Sequence, residues 1–176
     1  MKKFAPLVSF LILLALGCTK DNREKLFDLV YPNFRFNILA GTSTFPPGAY
    51  ELRGVETDID FYLSSHSVDS NLIFAMNPTI GTLTAENGID FDFLDAVSVR
   101  ICEDTEEPCP ISAEVFYREG LFQDRPGTRI NLDPGLRNVR ADLLRERYRL
   151  DIVVNFVYPP PFTVEARLDL GFQAVK

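Results

Sequence analysis

From Tyr148 to Ala174 the chain alternates inward and outward residues with a period of two, twice over, and no helix can use such a pattern. Tyr148, Leu150, Ile152, Val154, Phe156 and Tyr158 alternate with Arg149, Asp151, Val153, Asn155 and Val157. After Pro159-Pro160-Pro161-Phe162, the set Val164, Ala166, Leu168, Leu170, Phe172 and Ala174 alternates with Thr163, Glu165, Arg167, Asp169, Gly171 and Gln173. Each run reads as a long strand with one buried and one wet face. Three prolines cannot donate to a ladder, so they mark a break. The two strands are expected to form an antiparallel hairpin or to cross between two sheets.

Shorter apolar runs at 34–38, 50–55, 59–63, 72–76, 96–101 and 113–117 repeat the theme. Pro46-Pro47-Gly48, Asn77-Pro78, Asn87-Gly88 and Pro126-Gly127 supply turn chemistry between runs. A helical pattern is expected only at 139–147. About eight strands in one small domain predict an all-β fold, an antiparallel β-sandwich with Greek-key or jelly-roll wiring and one short helix. A closed barrel is the alternative. Fifteen Phe and six Tyr, with no Trp, supply the core from aromatic rings.

The start of the chain follows other rules. Lys2 and Lys3 precede an apolar stretch, residues 4–16, broken only by Pro6 and Ser9 and followed by Gly17 and Cys18. At ~1.5 Å per residue that stretch is too short for a hydrocarbon core of ~30 Å, so residues 1–17 read as an export signal.

A small residue before a cysteine at the end of such a leader resembles the lipobox of bacterial lipoprotein precursors. The resemblance implies that the leader is removed before Cys18, and that Cys18 becomes a lipidated N-terminus carrying a diacylglycerol and an N-acyl chain such as palmitate. Several acyl chains hold a protein firmly where one holds it marginally. Lys20-Asp21 is further similar to the lysine and acids found after the cysteine in surface lipoproteins of the Bacteroidetes type, with Asn22 in place of a second acid. The expected location is the outer membrane, by lipid anchor, on its periplasmic or cell-surface face. Residues 18–32 are expected to form the lipidated N-terminus and tether, with a turn of helix at 23–29, and residues 33–176 the β domain.

Removing Lys2 and Lys3 with the leader takes the formal charge from −7 to −9, which disfavours nucleic acid and anionic headgroups as partners. With Cys18 lipidated, Cys102 and Cys109 remain as a pair around the acidic turn Glu103-Asp104-Thr105-Glu106-Glu107-Pro108. Outside the cytoplasm a disulfide is the expected state. Two free thiols, or an incomplete metal site, are the other readings.

Catalytic signatures are missing from the sequence: it contains no nucleophile elbow, phosphate loop, HExxH helix or CxxC pair. His66 in Ser64-Ser65-His66-Ser67 is the sole imidazole and reads as a solvated loop residue. Asp90, Asp92 and Asp95 could approach calcium together, although a solvated strand face opposite buried Phe91 and Phe93 is the preferred reading. Tyr158 and Phe162 flank the prolines as a candidate ligand-binding lip, or as a plug at one end of the sandwich, the commoner fate of such residues. No metal or cofactor is expected. The chain is therefore expected to be a non-enzymatic structural or binding module that meets an envelope protein. A surface glycan- or ligand-binding accessory protein is the alternative, and a carboxylate hydrolase a third reading.

Overall fold

The computed structural model describes residues 23–176, in which eight antiparallel strands form the fold expected from the alternation. They are β1 (Lys25–Ile38), β2 (Gly48–Glu56), β3 (Ala75–Ala85), β4 (Leu94–Cys102), β5 (Glu114–Arg118), β6 (Arg129–Pro134), β7 (Arg147–Phe156) and β8 (Val164–Val175). Outgoing strands β1 to β4 pair with returning strands in reverse order, β1 with β8, β2 with β7, β3 with β6 and β4 with β5. Further ladders β3·β8 and β4·β7 roll this long hairpin into two four-stranded halves, β1-β8-β3-β6 and β5-β4-β7-β2. That wiring is a jelly roll.

The halves join through a seam of two residue pairs, Phe116↔Pro134 and Tyr117↔Asp133, so all eight strands form one nearly closed sheet. The outer edges, β1 and β2, are bridged by side chains. The Phe36 and Tyr50 rings lie 4.8 Å apart, and Tyr31 Oη donates to the Thr57 carbonyl at 2.7 Å. At the seam, a Cβ on Gly81 would meet the Phe116 ring at 2.8 Å, so glycine lets the two halves approach.

β8 keeps its expected alternation, with Val164, Ala166, Leu168, Leu170, Phe172 and Ala174 buried. Phe172 packs edge-on against Tyr31 of β1 at 5.9 Å and against Phe116 of β5 at 5.7 Å, so one ring touches both halves. Burial pushes the Tyr31 and Tyr148 phenols well above their usual range. β7 and β8 lie in opposite halves, so the proline segment crosses between them.

Five local readings are corrected. The expected tether ends early and the helical turn expected at 23–29 is a strand instead, because β1 already begins at Lys25. Phe27, Leu29 and Tyr31 are buried, a bulge at Pro32-Asn33 shifts the phase, and Phe36 and Ile38 are buried thereafter. Asn33 takes φ 74° at that bulge, and its N–H donates to Asp169 Oδ1 at 2.8 Å. That shift hid the strand, since the alternation is legible only on its far side.

The run 59–63 is the start of helix α1 (Ile59–His66), not a strand. Ile59, Phe61 and Leu63 mimic a period of two, yet Phe61 is exposed, while Ile59, Tyr62 and Leu63 face inward at helical spacing, and the exposed His66 ring lies against Phe27. Asn77-Pro78 lies within β3, on a stretch that pairs with β8 but not with β6, where a bulge accommodates the proline. The 72–76 run begins in a 3-10 turn, Ser70–Leu72, and becomes strand only at Ala75. The 139–147 helix shortens to α3 (Arg140–Leu143), with α2 (Leu121–Asp124) a further short turn. β6 escaped notice because it buries only Ile130 and Leu132.

The registers give the molecule two unlike ends. Ile38↔Val164, Gly48↔Val154, Leu94↔Phe156 and Val97↔Arg118 place connections 39–47, 86–93, 119–128 and 157–163 at one end, called here the tip. Lys25↔Val175, Glu56↔Arg147 and Cys102↔Arg149 place the start of β1 and the end of β8 with segments 57–74, 103–113 and 135–146 at the other, the base.

Candidate functional site

At the tip, the proline segment is pinned by its middle and exposes a ring on either side. Pro160 is buried and accepts from the Gly41 N–H at 2.9 Å, while the Ala40 N–H donates to Thr163 Oγ1 at 3.1 Å. Tyr158 and Phe162 stand outside this anchor, Phe162 with 63% of its surface exposed. The plug reading is thereby corrected. Phe91, Phe93 and Phe156 close the tip instead, with Phe93 and Phe156 stacked at 6.1 Å.

Four further exposed apolar residues occupy the same end: Leu39, Phe45 (83% exposed), Phe122 and Val157. Phe122 meets Tyr158 edge-on, 6.3 Å between centroids and 84° between planes. Leu39 and Phe45 share one loop, Phe122 lies in α2 and Val157 adjoins Tyr158, so no periodicity signalled them. The six side chains gather exposed apolar surface at the tip.

The ligating atoms of Asp90, Asp92 and Asp95 do not all lie within 4.8 Å of one another. Asp90 and Asp92 lie on irregular backbone, not on a strand; Asp90 and Asp95 are exposed and Asp92 is half-buried. Phe91 and Phe93 turn inward as expected. Among the described residues, the only trio of potential ligating atoms within 4.8 Å of one another is that of Cys102, Cys109 and Asp151.

Those two cysteines form a disulfide, with Cα atoms 5.9 Å apart, so their sulfurs are bonded to each other. The loop they close lies across the outer face of β7 and buries a charged pair. Arg149, 2% exposed, donates to Asp151 Oδ1 and Oδ2 at 2.6 and 2.7 Å, and to the Thr105 and Glu107 carbonyls at 3.1 and 2.9 Å. The hydrogen bonds to Asp151 push the guanidinium still further above its ordinary range. Asp104 Oδ2 accepts from the Gly54 N–H at 2.8 Å, and Glu106 pairs with Arg53 at 2.8 Å, which ties the loop to β2. Alternation correctly turned Arg149 and Asp151 away from the core. It could not reveal the loop that covers them.

Beside the disulfide a hollow of about 520 Å³ is lined in part by Arg137, Asp142 and Arg145. Its cations are committed: Arg137 bonds Asp142 at 2.8 Å and the Ile101 carbonyl at 2.8 Å, and Arg145 pairs with Glu103 at 3.2 Å. Burial pushes the Asp142 carboxyl above the usual range against the pull of both arginines. His66 ends α1 and is not a loop residue. Its Nδ1 lies 3.0 Å from both Ser65 Oγ and the Tyr62 carbonyl, and its ring stacks on Phe27 at 5.1 Å. Among the described residues no carboxylate hydrogen-bonds that ring.

The chain matches no family model and no curated protein. Cys18, Lys20 and Asp21 lie outside the described residues.

Proposed function

We propose that this chain is a non-enzymatic, lipid-anchored protein of the bacterial envelope that holds a jelly-roll binding module at the outer membrane and turns its apolar tip toward a protein partner. The polarity of the molecule carries the reading. The chain enters the sheet at Lys25, at the base, seven residues after Cys18, while Tyr158, Phe162, Phe45 and Phe122 are exposed at the opposite end. A protein held by its N-terminus presents that tip outward. Protein interfaces are rich in aromatic anchors of this kind.

The glycan-binding alternative calls for a flat aromatic platform. Phe122 and Tyr158 meet nearly at right angles, which favours a shaped protein surface over a sugar ring.

A photo-crosslinking residue at position 162 in intact cells is expected to capture a discrete envelope protein, and one at position 136, on the base, to capture none. No adduct at 162, or the same protein captured from both positions, would contradict the reading.

A further inference from the structure

We propose that the base of the jelly roll rests on the lipid surface that carries the anchor, with Phe61, Leu72, Phe74, Ile111 and Leu136 seated in its headgroup layer. The proposal rests on the anchored reading above and adds to it a face, an orientation and a contact. All five side chains are exposed, Leu136 completely at 103% and Ile111 at 76%. They come from all three connecting segments of the base, 57–74, 103–113 and 135–146, so sequence periodicity does not join them into one face.

Hydrogen bonds bring two of those segments together beside the chain start. Asn138 Oδ1 accepts from the Met76 N–H at 3.0 Å, and Arg140 Nε donates to the Ile73 carbonyl at 2.6 Å, which ties the segment holding Leu136 to the one holding Leu72 and Phe74. The Phe74 N–H in turn donates to the Val175 carbonyl at 2.9 Å, and the Arg23 guanidinium lies over the Phe74 ring at 5.9 Å. Phe74 thus adjoins the first described residue after the tether.

Chain length selects the occupant. Seven residues from Cys18 to Lys25 reach at most about 25 Å when extended and about 15 Å as a flexible coil. The twelve residues of β8 run the length of the sheet, about 40 Å, so the tip lies beyond the reach of the tether. A lipidated Cys18 therefore keeps the base, and not the tip, against the bilayer. Phe and Leu side chains gain by entering the boundary between headgroups and acyl chains. The acidic surface disfavours anionic lipid, so the contact is apolar and suits a zwitterionic surface.

The chain has no tryptophan, so a single introduced Trp reports its own surroundings. Full-length lipidated Phe74→Trp, Leu136→Trp and Phe162→Trp variants would be reconstituted in phosphatidylcholine vesicles containing a spin-labelled lipid. Emission at positions 74 and 136 is expected to fall about twofold or more, and emission at 162 to stay unchanged. Failure of the proteins to float with the vesicles would overturn the anchored reading and this proposal together. Flotation without quenching at 74 and 136 would overturn this proposal alone. Equal quenching at 162 would overturn the orientation. A concentration-dependent blue shift at 74 without quenching would assign the face to a second copy of the chain instead.

Discussion

Replacing Arg149 with methionine is expected to destabilise the domain by about 3 kcal/mol, because it leaves the Asp151 carboxylate buried without its partner. For a domain of this size that corresponds to a fall in Tm of roughly 6–12 °C, measurable by thermal unfolding. The guanidinium has three kinds of partner, the Asp151 carboxylate on its own strand, the Glu51 carboxylate on β2 at 3.3 Å, and the Thr105 and Glu107 carbonyls of the loop above it. Losing it therefore breaks the pair and loosens the cover together. The double variant Arg149→Met with Asp151→Leu removes both charges and is expected to recover most of the loss, since an apolar pair of similar volume carries no desolvation penalty. A single substitution costing under about 1 kcal/mol, or a double variant no better than the single, would contradict this account of the loop.

Phe172→Ala is expected to cost about 4 kcal/mol and to lower Tm by roughly 8–16 °C. The ring is fully buried and touches Tyr31 in one half and Phe116 in the other. With a seam of only two residue pairs, contacts of this kind carry most of the cohesion between halves. Phe162→Ala at the tip, with most of its ring already in water, is expected to change stability by about 0.5 kcal/mol or less. Denaturant unfolding of the two variants side by side gives the comparison. A similar cost at both positions would place the cohesion elsewhere.

The contrast between these two phenylalanines shows how much was legible in the sequence. Alternation along β7 and β8 is a local property, and it named Phe172 as inward and Arg149 as outward without any knowledge of the fold. What covers an outward residue is decided by segments far away in the chain. Arg149 and its lid are 42 and 44 residues apart, a separation no pattern encodes. The 59–63 run failed for a different reason. Its apolar spacing satisfies a strand and a helix equally, and the exposure of Phe61 decides for the helix. β1 was half hidden by a one-residue phase shift, and β6 by having only two buried side chains. Cys102 and Cys109 were recoverable because a cysteine pair around a short acidic turn depends on local spacing. At the tip, the sequence nominated Tyr158 and Phe162 through their prolines but preferred the plug. Phe45 stands before Pro46-Pro47 as Tyr158 stands before its prolines, while Phe122 carries no such signal, and only the registers bring them to the same end.

Fractionation of cells expressing the chain with and without Cys18→Ala tests the proposal that Cys18 holds this domain at a membrane. The native chain is expected almost wholly in the membrane fraction, and the Cys18→Ala chain predominantly in the soluble one, since apolar contacts at the base without acyl chains give only weak, reversible binding. Unchanged membrane association of the Cys18→Ala chain would contradict the account.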